Sequence, residues 1–211
     1  MNVAPEIQTN NTTFGRMAIT GYLNPFYPRF WEDRLYHTWG GEPKGIFACD
    51  MSDLFGIGIP EGWTNRVLNL IKLHDRNRYY LLTKQPQNLK KFSPFPDNCW
   101  VGVTATDYYS MFRALNGLAY LDGGIQAKIK FISFEPLLES VAGPRLNFSG
   151  IDWVIIGLQT PYSPKTAPKI EHIMEIIRAC NKVGVPVFEK ENLTKLMGGD
   201  NLRQEMPQSD S

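Results

Sequence analysis

Polar or charged residues follow each of six short apolar runs in this chain, and their chemical types suit the binding of a small polar ligand. A carboxylate, an ammonium, a hydroxyl or an amide group comes where each run ends. If the runs are parallel strands, their carboxyl ends meet at one side of a sheet, so these side chains should surround one cavity. The six residues are Asp50, Lys84, Thr104, Glu135, Gln159 and Lys190.

Glu135 and Lys190 are the candidate catalytic residues, because each brings a charge directly after a strongly apolar run. A charge in such a place is costly unless a partner meets it, so a Glu135–Lys190 or Lys84–Glu135 ion pair is one interpretation. The alternative is a reactive site, with Glu135 as the acid–base group and Lys190 as an electrostatic partner or Schiff-base amine. The residue types favour neither interpretation over the other.

The remaining candidates would bind a ligand rather than react with it. Hydroxyl and carboxylate residues are also common helix N-caps, and for Ser52, Asp53, Thr106 and Asp107 capping is favoured over catalysis. A metal site is not predicted, since the three cysteines and three histidines are scattered without ligand spacing. The candidate ligand-binding residues are Asp50, Asp53, Lys84, Thr104, Thr106 and Gln159.

Short apolar strands that alternate with amphipathic helices must position these residues. Strands that are apolar on both faces and separated by helices are typical of a parallel sheet covered by helices. The fold class is therefore α/β, and a parallel (β/α) barrel of about six strands is preferred over an open doubly wound sheet. Helices are predicted at residues 61–74, 86–92, 107–120 and 168–180. Strands are predicted at residues 45–50, 79–83, 99–104, 129–134, 152–157 and 185–188.

Composition sets limits on the class of protein. The chain has 211 residues, with 22 Lys or Arg against 21 Asp or Glu, so a nucleic-acid surface is not indicated. No apolar run approaches the roughly 18 to 20 residues of a membrane span, and the N-terminus lacks the features of a secretory signal. We therefore expect a cytoplasmic protein. We expect one domain over residues 1–203, with 1–24 unassigned, and a disordered tail over 204–211.

Six motifs in a fixed order carry a family resemblance. They are MSDLF (51–55), LLTKQPQNL (81–89), CWVGVT (99–104), FISFEPLLE (131–139), DWVIIGLQT (152–160) and GVPVFEKENL (184–193). This set resembles the family named after phage gene products thirty-seven and sixty-eight, a domain of unknown function related to radical S-adenosylmethionine barrels. The resemblance implies a TIM-like barrel that binds S-adenosylmethionine or a nucleotide-like ligand. In it, Glu135 and Gln159 would bond the ribose or amino-acid part, and Lys84 or Lys190 a carboxylate.

The chain departs from this family near its N-terminus. Family members carry an N-terminal strand and then clustered cysteines, whose thiolates would hold a [4Fe–4S] cluster that cleaves S-adenosylmethionine. Here Arg16, Met17 and Ala18 match the residues after those cysteines, but no cysteine precedes them. The chain is therefore expected to bind no [4Fe–4S] cluster and to form a partial barrel. Either this copy has lost the motif, or the motif lies upstream of Met1.

Three functions stay open, and the sequence does not decide whether the chain is an enzyme. The first is an enzyme of the radical S-adenosylmethionine type, or a relative that still binds a nucleotide-like ligand. The second, favoured by the absent cysteines, is a non-enzymatic degenerate barrel that binds a ligand or partner. The third is a cluster-independent barrel enzyme that uses Glu135 and Lys190.

Overall fold

The structure is a computed structural model that describes residues 28–36, 40–143, 146–199 and 201–208. The chain divides into two compact units, residues 1–37 and 38–211, where the sequence suggested one domain over 1–203. In the first unit, a 3₁₀ helix spans Glu32–Tyr36. The position of the family's cysteine motif, at residues 10–18, lies outside the described residues. All eight candidate residues belong to the second unit.

A six-stranded parallel sheet forms the centre of the second unit, and its strands lie side by side in chain order. The sheet is curled into a half-barrel, which confirms the predicted α/β class and the partial parallel barrel. The predicted strand ends agree with the observed ones to within two residues. The strands are β1 (Gly45–Ala48), β2 (Arg78–Thr83), β3 (Cys99–Thr104), β4 (Ile129–Phe134), β5 (Trp153–Ile156) and β6 (Val187–Glu189).

Helices connect the strands, and local sequence signals explain where they begin and end. The first helix begins directly after Pro60, whose fixed φ suits a helix start. The third ends at Gly184, which adopts a left-handed conformation with φ of 73°. The helices are α1 (Glu61–Leu73), α2 (Tyr108–Leu115), α3 (Ile170–Val183) and α4 (Thr194–Met197), with a 3₁₀ helix at Pro86–Phe92 and a π-helical stretch at Asn116–Tyr120.

The sheet is apolar on both faces, and the two faces differ in composition. The helices cover the outer face, where mostly aliphatic side chains of the strands, helices and loops form the main core. The inner face carries a second, aromatic cluster in which the rings of Trp100, Phe131 and Phe188 lie 5.6, 5.8 and 5.9 Å from the Trp153 ring. The Arg78 guanidinium lies 4.2 Å above the Trp100 ring. Burial on both faces explains why the strands read as continuous apolar runs.

The buried face of α1 differs from the predicted one. The sequence pattern placed on that face Trp63, Val67, Leu70, Ile71 and His74. The residues that are buried are Thr64, Leu68 and Ile71. Thr64 can be buried because its hydroxyl donates a hydrogen bond to the Leu54 carbonyl oxygen at 2.9 Å. Apolar periodicity does not identify a buried polar residue, so the predicted face is rotated about the helix axis relative to the buried one.

A short segment near the C-terminus, residues 203–205, runs antiparallel along β6 and is called the strap below. The sequence predicted a disordered tail from Gln204, whereas Glu205 exchanges hydrogen bonds with Val187 through both its backbone and its carboxylate. The Trp153 indole also donates to the Glu205 carbonyl oxygen at 2.9 Å. Because these bonds satisfy the outer edge of β6, the half-barrel does not end there in an open strand.

Glu189 is the buried acidic residue of β6, and the strap partners it. One carboxylate oxygen accepts a hydrogen bond from the Arg203 backbone N–H at 2.7 Å. The other oxygen is buried and has no partner among the described residues. A buried oxygen of this kind carries a desolvation cost, so among the described residues the Glu189 carboxylate depends on the strap for its hydrogen bond.

Within the described residues, no helix has the length and apolar character needed to cross a membrane.

Candidate functional site

Glu135 and Lys190 form an ion pair at the carboxyl ends of β4 and β6, with the charged atoms 2.5 Å apart. The pair spans the end of β5, which lies between these strands. The Glu135 side chain keeps 31% of its surface exposed and the Lys190 side chain 42%, so a ligand can reach both charges. Of the two predicted ion pairs the structure forms this one, and Lys84 has no ion-pair partner among the described residues.

Gly157, directly after β5, makes room for this ion pair. A Cβ atom at Gly157 would lie 3.0 Å from Lys190 Cδ and 3.3 Å from Glu135 Cγ. Side chains alternate along a strand, so Glu135, Gly157 and Lys190 all belong to the inner face that carries the aromatic cluster. The sequence analysis treated Gly157 only as a strand end. Its packing role depends on side chains from two other strands.

Two buried hydroxyl residues lie on the same face next to the ion pair. Thr104 and Ser133 are direct neighbours in the register of β3 and β4, and both are almost fully buried. Ser133 precedes Glu135 by two residues and therefore shares its face. Thr104 was a predicted ligand-binding residue, and Ser133 was not. Strand alternation was the signal that could have identified Ser133.

Asn192 fixes the spacing between the ends of β5 and β6. Its side-chain amide donates to the Leu158 carbonyl oxygen and accepts from the Leu158 N–H, both at 3.1 Å. The segment after Lys190 is thereby held against the segment after Gly157. Sequence analysis did not identify this role, because an asparagine within a run of charged residues is typical of a solvated loop.

Asp53 has a structural role that the prediction of ligand binding did not include. Its carboxylate accepts hydrogen bonds from the Thr83 hydroxyl and the Lys84 N–H, both at 2.9 Å, and from the Phe55 N–H at 3.0 Å. These bonds join the loop after β1 to the end of β2. Both carboxylate oxygens are therefore used within the protein.

Asp107 caps α2, as the sequence favoured, whereas Thr106 contacts the cap rather than the helix. Asp107 accepts from the Ser110 N–H at 2.9 Å, and the Ser110 hydroxyl accepts from the Asp107 N–H at 3.1 Å, which completes a capping box. The Thr106 hydroxyl donates to Asp107 at 2.7 Å. Burial acts to raise the pKa of Asp107, but the hydrogen bonds from Ser110 and Thr106 outweigh it and lower that pKa.

Replacing Asp107 with alanine should lower the free energy of unfolding by about 1 kcal/mol, because α2 loses its cap. Asp107→Asn keeps a capping side chain and should cost less at neutral pH. A carboxylate with a lowered pKa stabilises the fold above its unfolded pKa and loses this effect as the pH falls through the folded pKa. The difference between wild type and Asp107→Asn should therefore shrink in acid. Urea unfolding of the three proteins between about pH 7 and pH 3 measures this, and equal stability of all three at neutral pH would contradict it.

The other predicted ligand-binding residues also lie at the strand ends, and the structure does not define their roles. Asp50 and Lys84 are exposed, and Gln159 is half-buried. Asp50 follows Cys49, which has a left-handed backbone with φ of 59°. That these side chains share one cavity with Thr104, Glu135 and Lys190 stays a prediction.

The three cysteines occupy separate elements. Cys49 follows β1, Cys99 begins β3 and Cys180 lies in α3. Burial raises the pKa of Cys99 and of Cys180 to about 12, and it also raises the pKa of Cys49. Among the described residues, no group of three His, Cys, Asp or Glu could hold a metal ion.

A family model covers most of the chain. Residues 9–197 match the family described as "Protein of unknown function (DUF5131)". No curated protein and no solved structure matches the chain. The match extends from the first unit through all six strands and α4, and it includes every candidate residue. The chain therefore belongs to the DUF5131 family.

Proposed function

We propose that this chain binds a polar small molecule at the carboxyl ends of its strands, and that the ligand is S-adenosylmethionine or a nucleotide-like compound. The observation that carries the proposal is the Glu135–Lys190 ion pair, which spans β5 and remains accessible. The resemblance to radical S-adenosylmethionine barrels supplies the class of ligand.

The exposure of the ion pair argues against a purely structural role. An accessible pair of this kind contributes only about 0.2–1 kcal/mol to stability, because water competes for both charges. Gly157 leaves the space that the pair occupies, and Asn192 fixes the neighbouring backbone. An arrangement that positions two charges so closely but gains little stability is better explained by recognition of a ligand.

Each partner has a distinct role in this proposal. Glu135 accepts hydrogen bonds from hydroxyl or amino groups of the ligand, and Lys190 binds an anionic group. Thr104 and Ser133 belong to the same face, but both are buried, so they are not assigned a contact with the ligand.

Replacing Glu135 with glutamine tests this function. We expect the affinity for S-adenosylmethionine, measured by isothermal titration calorimetry, to fall by about 10- to 100-fold, since a hydrogen bond to a charged group is lost. The melting temperature should change little. A lower melting temperature with unchanged affinity would show that the ion pair is only structural.

Glu61→Gln provides a matched control. Glu61 forms an ion pair with Lys91 at 3.1 Å, both side chains are more than half exposed, and neither is a candidate site residue. The substitution removes one carboxylate charge, as Glu135→Gln does, and should leave the affinity unchanged. Adenosine serves as a second ligand, because it has the nucleoside part of S-adenosylmethionine but lacks the amino-acid part. If Glu135 binds the amino-acid part, Glu135→Gln should weaken the binding of S-adenosylmethionine but not that of adenosine.

A non-enzymatic barrel is the second candidate function, and the cysteines favour it. Cys49, Cys99 and Cys180 are distributed over different elements. The described residues therefore offer no thiolate trio for a cluster. A third candidate, an enzyme that uses Lys190 as a Schiff-base amine, has less support, because an ammonium group in an ion pair has no lone pair with which to attack a carbonyl.

A further inference from the structure

A cleft of about 880 Å³ lies at the amino-terminal ends of β2 and β3, on the side of the sheet opposite Glu135 and Lys190. Its walls come from α1, from the turn between α1 and β2, and from the loop before β3. Four cationic side chains and two carboxylates line it. They are Lys72, Arg76, Arg78, Lys128, Asp75 and Asp97. The lining is thus more positive than the whole chain, which has a net charge of +1.

Arg78 is the most firmly held of these cations. Its guanidinium stacks on Trp100 at 4.2 Å, and one of its N–H groups donates to the Tyr80 hydroxyl at 3.4 Å. A guanidinium fixed by stacking loses little entropy when it binds a ligand and can offer further N–H groups to an anion. Lys72 and Arg76 are exposed at the same cleft.

The position of α1 explains only part of this positive charge. Lys72 lies in the last turn of α1, where a cation is favourable next to the negative end of the helix. Arg78 belongs to β2 and Lys128 precedes β4, so neither takes part in that effect. Cations from separate elements that face one cleft are better explained by a ligand that carries negative charge.

We propose that this cleft binds a phosphate-bearing small molecule. Phosphate presents several oxygens that Arg and Lys donors can share, and Arg is suited to bind it through two parallel hydrogen bonds. The amides of Asn65 and Asn69 also line the cleft and can donate to the same group. The cleft volume falls within the range of ligand pockets. The site is independent of the one proposed at the carboxyl ends of the strands.

Calorimetric titration with inorganic pyrophosphate tests the proposal, because this probe carries phosphate without a base. At an ionic strength of about 0.01 M, Lys72→Ala and Arg76→Ala should each weaken binding by about two- to tenfold. Asp97→Asn removes a repelling carboxylate and should strengthen it. Lys182→Ala is the matched control, since Lys182 is also an exposed residue in the last turn of a helix, α3, but does not line the cleft.

The outcomes separate the alternatives. Orthophosphate and adenosine 5′-monophosphate, titrated in parallel, show whether phosphate alone suffices or a nucleoside is needed as well. The losses caused by Lys72→Ala and Arg76→Ala report on the cleft, so failure at the other site would leave this result unchanged. The proposal is overturned if none of the three compounds binds, or if Lys182→Ala weakens binding as much as Lys72→Ala does.

Discussion

Replacing Trp153 with alanine should lower the free energy of unfolding by about 3–5 kcal/mol. Trp153 is almost fully buried on the inner face and contacts four other rings. Its indole also donates a hydrogen bond to the Glu205 carbonyl oxygen, which would lose its partner. Because the surrounding rings come from β2, β3, β4 and β6, they cannot all move to fill the space. Urea unfolding followed by circular dichroism measures the loss.

Tyr109→Ala is the control for this substitution. Tyr109 lies in α2 with 80% of its surface exposed, so its removal should change stability by less than about 0.5 kcal/mol. A loss below about 1 kcal/mol for Trp153→Ala would show that the aromatic cluster is not a tightly packed part of the core.

Ending the chain at Leu202 should cost about 2–4 kcal/mol, because the strap is lost. The Trp153 indole, the Val187 N–H and the Glu189 carboxylate would each lose a hydrogen bond. Differential scanning calorimetry and urea unfolding measure this loss. Amide exchange should also become faster in β6, because in the full chain the Glu189 N–H donates to the Arg203 carbonyl oxygen.

Gln204→Ala is the matched control for the truncation, because it keeps the backbone bonds of the strap and alters an exposed side chain. This substitution should leave the free energy of unfolding unchanged.

The stability of the full chain at low pH provides a further check on the strap. The hydrogen bond from the Val187 N–H and the interactions with Arg203 lower the pKa of Glu205. The stabilisation from this carboxylate is present at neutral pH and is lost as the pH falls through the lowered pKa. A truncated protein that is as stable as the full chain would contradict the role given to the strap.

Most of the half-barrel could be predicted because its strands are buried on both faces. The whole of β3, for example, is buried, and its apolar run could be recognised without knowledge of its neighbours. The strap could not be predicted in this way. Its residues are polar, and it is held by backbone and carboxylate hydrogen bonds to a strand that lies 14 or more residues earlier in the chain. No local pattern indicates such pairing.

The candidate site could be predicted where strand position alone determines it. Glu135 and Lys190 follow directly from parallel strands whose carboxyl ends lie together. Asp53 shows the limit of this reasoning, because its partners Thr83 and Lys84 come from another strand. Gly157 and Asn192 have roles that depend on atoms of neighbouring strands, which a single sequence does not reveal.

The order of the strands has a consequence for synthesis of the protein. Among the six described strands, each pairs with the strands directly before and after it in the chain, so every new strand that leaves the ribosome finds its partner already made. The sheet can therefore grow by one strand at a time from β1 without waiting for distant parts of the chain. The edge of β6 is the exception, because it stays open until residues 203–205 have also left the ribosome.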